Sequence, residues 1–391
     1  MAPAFPAGFL WGAAVGAHQV EGGNTNSDWW WWEHAPGTPC VEPSGDACDF
    51  YHRYRDDIAM LAGFGLNAFR FGIEWSRIEP AEGEFSVAQL DHYRRMLDAC
   101  HEHGVTPILT FHHFTVPRWV HEAGGLASDR FAELFERYCD RSARALGDLI
   151  GYACTINEPQ GLGWSGWVSG INPPGIKGDE RAARRVSENL LEAHRLAAPA
   201  IRAHTKAPVG VTLALPDLQY EDGAGPGHSG IEVESGVNDE FFELARDDDF
   251  IGVQTYTRIR IGRDGPREPS ETDEVTQMGY EYYPRALGGA IRRAWKSTGG
   301  RIPILVTENG IATTNDERRI AFMAEALDEV QKCLAEGIDV RSYIHWSLLD
   351  NFEWGFGYRP RFGLVAVDRE TFARHPKPSA KWLGAKASES R

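Results

Sequence analysis

From Phe9 to Trp346 the chain repeats one cycle: a short apolar, β-prone run, an amphipathic helical stretch, and commonly a glycine before the next run. Runs with strand character lie at Phe9–Ala14, Asn67–Trp75, Thr106–Phe111, Tyr152–Ile156, Val209–Leu213, Phe250–Val253, Ile304–Val306 and Val340–Trp346. Helical periodicity fills most of the intervals, at Asp49–Leu61, Leu90–His101, Phe131–Leu146, Arg181–Thr205, Pro284–Lys296 and Arg318–Glu336. In the first of these, Tyr51, Tyr54, Ile58 and Leu61 share one face, as a helix laid on a sheet requires. Only the interval before Phe250 is less regular. Eight strands separated by helices are the pattern of an α/β fold, a single (β/α)8 TIM barrel. No linker, low-complexity tract or shift in composition divides the chain, so residues 1–391 are expected to form one domain.

Composition narrows the partners. The net charge is −16 (40 basic and 56 acidic side chains), without long like-charge runs. No basic stripe is at hand to neutralise phosphates, so neither nucleic acid nor an anionic membrane is expected as a partner. No apolar stretch approaches bilayer length. The N-terminal Met1-Ala2-Pro3-Ala4-Phe5-Pro6 has neither the basic nor the apolar segment of a leader. Six cysteines (Cys40, Cys48, Cys100, Cys139, Cys154, Cys333) are scattered without a C-x-x-C, which reads as reduced thiols in a cytoplasmic protein. His101, His103 and His121 do not have metal-ligand spacing, and no metal or cofactor is expected. Thirteen tryptophans fit stacking on sugar faces as well as they fit a large core.

Two stretches carry chemistry. The run Tyr152–Ile156 ends in Asn157-Glu158-Pro159, where the proline forbids a longer strand. The run Ile304–Val306 ends in Thr307-Glu308-Asn309-Gly310. In a parallel barrel both glutamates reach the C-terminal rim, and paired carboxylates at a rim are the equipment of glycoside hydrolysis.

Motifs in the same order along the whole chain resemble glycoside hydrolase family 1, the β-glucosidase/β-galactosidase family. The resemblance is carried by Phe5-Pro6-Ala7-Gly8-Phe9-Leu10-Trp11-Gly12 with Gln19 and Glu21-Gly22, by Arg70–Ile78, and by Thr110-Phe111-His112-His113-Phe114 with Pro117. The stretches Thr155–Pro159 and Leu305–Gly310 are similar to its acid/base and nucleophile motifs. Trp346–Trp354 with Arg361-Phe362-Gly363 is the most specific match.

The resemblance implies a retaining exo-β-glycosidase, with a small-molecule β-glycoside as partner. Glu308 would be the nucleophile and Glu158 the general acid/base. Arg70 and Tyr256 would keep Glu308 ionised, and an arginine inside an apolar strand already calls for a buried anion. Asn157 would donate to the sugar 2-OH. Gln19, His113 and Glu353 would hold outer hydroxyls, Trp346 would form a stacking floor and Trp354 would add an indole N–H contact. His112 reads as structural, as do Lys377 and Ser379. The Trp29–Trp32 run reads as part entrance and part core, and Asp247-Asp248-Asp249 as a solvated helix end.

Glu158 stands where the thioglucosidase branch of the family has Gln, and Glu353-Trp354 where phospho-β-glycosidases have a phosphate-binding set. Ordinary O-glycosides are therefore implied, with a β-D-glucoside first and galactosides and fucosides next. The chain also departs from the family pattern. Gln254-Thr255-Tyr256 replaces Asn-Tyr-Tyr, Gly72 stands for Ser, and Thr115 for Asp. Residues between about Gly161 and Asp249 look shortened, which implies an open leaving-group side that admits bulky aglycones. A transglycosidase would use the same two glutamates, and a catalytically silent sugar-binding protein would keep the pocket alone. Oligomeric state is left open, a homo-oligomer included.

Overall fold

The computed structural model describes residues 5–221, 223 and 239–389. Met1–Ala4, where no leader is expected, and part of the stretch expected to be shortened lie outside the described residues. The eight barrel strands are β1 (Leu10–Ala14), β2 (Ala68–Gly72), β3 (Thr106–His112), β4 (Tyr152–Asn157), β5 (Val209–Ala214), β6 (Phe250–Thr255), β7 (Ile304–Asn309) and β8 (Val340–Trp346). They close in the order β1-β8-β7-β6-β5-β4-β3-β2, and every pairing is parallel.

Successive side chains of a strand take opposite faces, so each strand sorts its residues between two layers. In β2, Phe69 and Phe71 join the layer between sheet and helices. Ala68 joins an inner cluster with Leu10, Ile108, Cys154, Leu305 and Ile344. The same alternation turns Arg70 into the barrel.

The outer layer forms for the matching reason. Along the helix Phe131–Leu146, Phe131, Leu134, Phe135, Tyr138, Ser142 and Leu146 are buried at spacings of three and four residues. Truncating a fully buried Phe135 to alanine would cost about 3–5 kcal/mol. The helices Val87–Glu102, Glu180–Arg202 and Asp316–Ala335 start on Ser86, Asp179 and Asn315, whose side chains accept a backbone N–H of the first turn. Each such cap contributes about 1 kcal/mol.

Four features differ from the sequence expectation. The run to Trp75 is not one strand: β2 stops at Gly72 and Trp75–Ile78 forms a helical turn, with Trp75 stacked on Tyr138 at 4.9 Å. An apolar run alone does not distinguish these two outcomes. The irregular stretch after β5 contains a strand, Asp217–Tyr220, paired with Arg258–Gly262, which pairs in turn with Gly265–Arg267. The first two alternate polar and apolar residues, Asp217-Leu218-Gln219-Tyr220 and Arg258-Ile259-Arg260-Ile261, but each run is too short to stand out from a loop. The C-terminal helix Pro378–Glu389 was not anticipated either.

The fourth feature concerns Asp247-Asp248-Asp249, which is not simply a solvated helix end. Asp248 is buried, lies 3.1 Å from His194 Nε2 and accepts the Val211 N–H, while Asp249 accepts the Val209 N–H. The two carboxylates tie the start of β5 in place. Lys377 and Ser379 are structural as expected: Lys377 donates to Asp350 and Ser379 to Asp316.

Candidate active site

The strand ends converge on a cavity of about 610 Å³ at the C-terminal rim. Its walls include Asn157 and Glu158 from the end of β4, Glu308 from β7, His113 and Tyr256 just after β3 and β6, and Trp346 from the end of β8. Glu353 and Trp354, on the loop after β8, complete that group. Two predicted residues are set back from the wall. Arg70 lies beneath Glu308, and Gln19 lies behind Glu353, with its Nε2 donating to the Phe352 carbonyl at 2.9 Å and 3.4 Å from Glu353 Oε2.

Glu308 is almost completely enclosed. One carboxylate oxygen accepts from Arg70 Nη1 at 2.5 Å and the other accepts the Tyr256 hydroxyl. Burial raises the Glu308 pKa, while Arg70 opposes the rise most, followed by the Tyr256 hydroxyl. Among the described residues Arg70 forms an ion pair with no other carboxylate: it is 1% exposed, and its other amino group donates to Asn157 Oδ1.

Glu158 is treated in the opposite way. Burial first, and then the charge of Glu308, push its pKa up to about 8, and no donor holds its carboxyl. Its backbone sits in the left-handed region (φ 46°), a conformation that costs a non-glycine residue energy and is held by the surrounding structure. The Glu158 N–H donates to the Thr212 carbonyl at 2.9 Å, which locks the turn onto β5. Glu353 is also raised to about 8, by burial and then by Glu308. Of the three carboxyls that line the cavity, Glu308 is the one paired with a guanidinium among the described residues.

Asn157 is oriented by its neighbours. Its Oδ1 accepts from Arg70 and, at 2.9 Å, from Gln254 Nε2, so its Nδ2 is the donor end, 3.3 Å from His113 Nε2 and with a second N–H. Burial, reinforced by Arg70, holds His113 well below its ordinary pKa, and the ring is neutral. With Nε2 facing a donor, its proton sits on Nδ1.

Trp354, with φ 50°, is held by rings: His18 stacks on it within 4° of parallel at 5.6 Å, and Trp29 packs at 4.5 Å. His18 is fixed in turn by Glu33 at 3.2 Å and Asn24 at 3.0 Å. Trp29 and Trp32 are buried, while Trp30 and Trp31 are half-buried.

Gln254 and His18 are the site residues that motif reading did not place. Gln254 was legible only as a departure, although its position two residues before Tyr256, on the same strand face, was a usable signal. His18 had none, since its contact lies more than 300 residues away in the chain. Thr255 turns from the cavity and donates to the Leu215 carbonyl, and Thr115 donates to Glu74. Among the described residues no cluster could hold a metal, and no helix is long and apolar enough to cross a membrane.

The sequence profile described as glycosyl hydrolase family 1 matches residues 1–225 and 234–390. The chain belongs to glycosyl hydrolase family 1. It is 31% identical over 436 residues to β-glucosidase A of Acetivibrio thermocellus, covering 97% of each protein. Among solved structures, the β-glycosidase BGL167 superposes with a TM-score of 0.90 at 49% identity, covering 98% of this chain and 97% of that one. A β-glycosidase from Pyrococcus horikoshii gives 0.89 at 34% identity, covering 100% and 96%. This family member is a retaining β-glycosidase.

Proposed function

We propose that the chain is a β-glucosidase in which Glu308 attacks the anomeric carbon and Glu158 protonates the leaving oxygen. The observation that carries this reading is the unequal treatment of two enclosed carboxyls. Glu308 has a guanidinium and a phenol on its oxygens, whereas Glu158 has no donor and a pKa of about 8. A retaining glycosidase needs that division: an ionised nucleophile opposite a protonated acid.

In the first step Glu308 forms an ester with the sugar, and the glycosidic oxygen departs with the Glu158 proton. The negative charge that raised the Glu158 pKa is then gone. Glu158, left as a carboxylate by that transfer, stays ionised and takes a proton from the water that attacks the anomeric carbon and releases Glu308. Asn157 Nδ2 donates to the 2-OH, a contact that tightens in the transition state. His113, Glu353 and Gln19 serve the outer hydroxyls over the Trp346 floor, and Trp354 adds its N–H. One domain over residues 1–391 carries the whole site, and the reaction needs no cofactor. Six free thiols, five of them buried, support a cytoplasmic setting, which cell fractionation would check. Light scattering would show whether homo-oligomers form.

The test is an NMR time course on p-nitrophenyl β-D-glucoside. Release of β-glucose first, and rescue of Glu308→Gly by azide to the α-glucosyl azide, are expected. Release of α-glucose first, or rescue at Glu158 instead, would overturn the assignment.

A further inference from the structure

The carboxyls, amides and indoles of the site occupy one end of the cavity; the solvent end has a different character. Of the nine large hydrophobic side chains exposed among the described residues, four line this one cavity: Val41 (70% exposed), Ile171 (48%), Phe356 (44%) and Tyr280 (37%). Ile259 and Met278 extend the same wall inward. Among the described residues, Glu158, Glu308 and Glu353 are the only Asp, Glu, Lys or Arg side chains in the lining. The rim's own polar groups include the Tyr280 hydroxyl and the Asn172 amide, while the Thr257 hydroxyl already donates to the Glu281 carbonyl at 2.8 Å.

The rim is built by separate elements. Val41 donates its N–H to the Gly355 carbonyl, which places it beside Phe356 on the loop after β8. Ile171 comes from the segment after β4 and is tied by its N–H to Ser165. Tyr280 lies across from them, its ring 6.4 Å from that of Tyr256. Apolar groups from four parts of the chain thus surround the opening towards which Glu158 releases the leaving group. Scattered exposed apolar side chains are ordinary, but a contiguous set around a cavity mouth marks a binding surface.

We propose that this rim is an aglycone site for large apolar alcohols, so that the natural substrates are amphiphilic β-glucosides with few polar groups on the leaving side. The inference rests on the β-glucosidase reading and adds its substrate class. A second sugar as leaving group would bring several hydroxyls to a wall whose polar side chains beyond the reacting end are few, the Tyr280 hydroxyl and the Asn172 amide among them. An alkyl or fused-ring aglycone would instead remove apolar surface from water on both sides of the contact. A cavity of about 610 Å³ is in the size range that encloses a sugar together with such a group.

The experiment compares kcat/KM for methyl, butyl, hexyl and n-octyl β-D-glucosides, the last below its micellar concentration, with cellobiose and p-nitrophenyl β-D-glucoside alongside. The alkyl leaving groups have nearly equal basicity, so the series varies apolar area rather than chemistry. The expected result is a rise of at least about tenfold from methyl to octyl, with octyl above cellobiose by a similar factor. Ile171→Ser and Phe356→Ser, both at exposed positions that tolerate a polar side chain, should each reduce the octyl-to-methyl ratio about threefold or more.

A flat alkyl series, or cellobiose as the better substrate, would overturn the proposal while p-nitrophenyl glucoside turnover left the glucosidase reading standing. An octyl preference unchanged in both variants would remove the rim from the explanation and overturn it too. Loss of turnover on every glucoside would overturn the glucosidase reading, and this one with it.

Discussion

Gln254 Nε2 donates to Asn157 Oδ1 across 2.9 Å, from the end of β6 to the end of β4. The extra methylene of Gln, relative to the Asn of related sequences, does not leave the amide without a partner. It reaches past its own strand and shares the Asn157 oxygen with Arg70. The pair fixes which end of the Asn157 amide faces the sugar.

Replacing Gln254 with alanine should therefore reduce catalysis through Asn157. Loss of one buried hydrogen bond corresponds to about 1 kcal/mol, or roughly a five- to tenfold fall in kcat/KM. The fall should shrink to about twofold on a 2-deoxy-glucoside, which lacks the hydroxyl that Asn157 serves. An equal loss on both substrates would mean that Gln254 acts elsewhere.

The pH profile follows from the two glutamates. Glu158 must hold its proton to act as the acid, and its pKa is raised to about 8, so activity should persist to about pH 8 and fall above it. The acid limb belongs to protonation of Glu308, and the two limbs report the coupled pair. In Glu158→Gln, assayed on an activated aryl glucoside that needs no acid, the alkaline limb of the first step should vanish. A persisting limb near pH 8 would assign it to another group, with Glu353 the next candidate.

Asp28 gives a stability prediction. Burial raises its pKa to about 8, although the Trp29 and Val116 N–H groups both donate to one of its oxygens. Between about pH 4 and pH 8 the folded carboxyl keeps a proton that the unfolded one has lost. The folded state then binds more protons, so stability is greatest at the acidic end of that window and declines as pH rises. Asp28→Asn keeps the accepting oxygen and removes the titration. It should raise Tm at pH 8 by several degrees and change it little at pH 5, as calorimetry at the two values would show.

Asp248 should matter more than its acidic neighbours suggest. Asp248→Ala leaves the Val211 N–H and His194 without their buried acceptor and should cost about 2–4 kcal/mol. The exposed Asp247→Ala should stay within about 0.5 kcal/mol of the parent. Comparable denaturation midpoints for the two variants would contradict the buried role.

By itself, the sequence determined the repeating frame and the two glutamates proposed to react. The barrel follows from local periodicity, because strand and helix periods are written in neighbouring residues and eight cycles have few ways to bury their apolar faces. Glu158 and Glu308 were legible because each ends a β-prone run at a break, and a parallel barrel sends all such ends to one rim. Tertiary structure alone supplied the contacts that treat the two glutamates differently. That depends on Arg70 and Tyr256 arriving at Glu308 from strands 238 and 52 residues away, with no counterpart reaching Glu158. It also decided that Gln254 supports Asn157, that His18 braces Trp354, and that Val41, Ile171, Tyr280 and Phe356 share one opening. Each of these is a contact between distant segments, and its energy comes from burial and charge pairing that exist only once the barrel has closed.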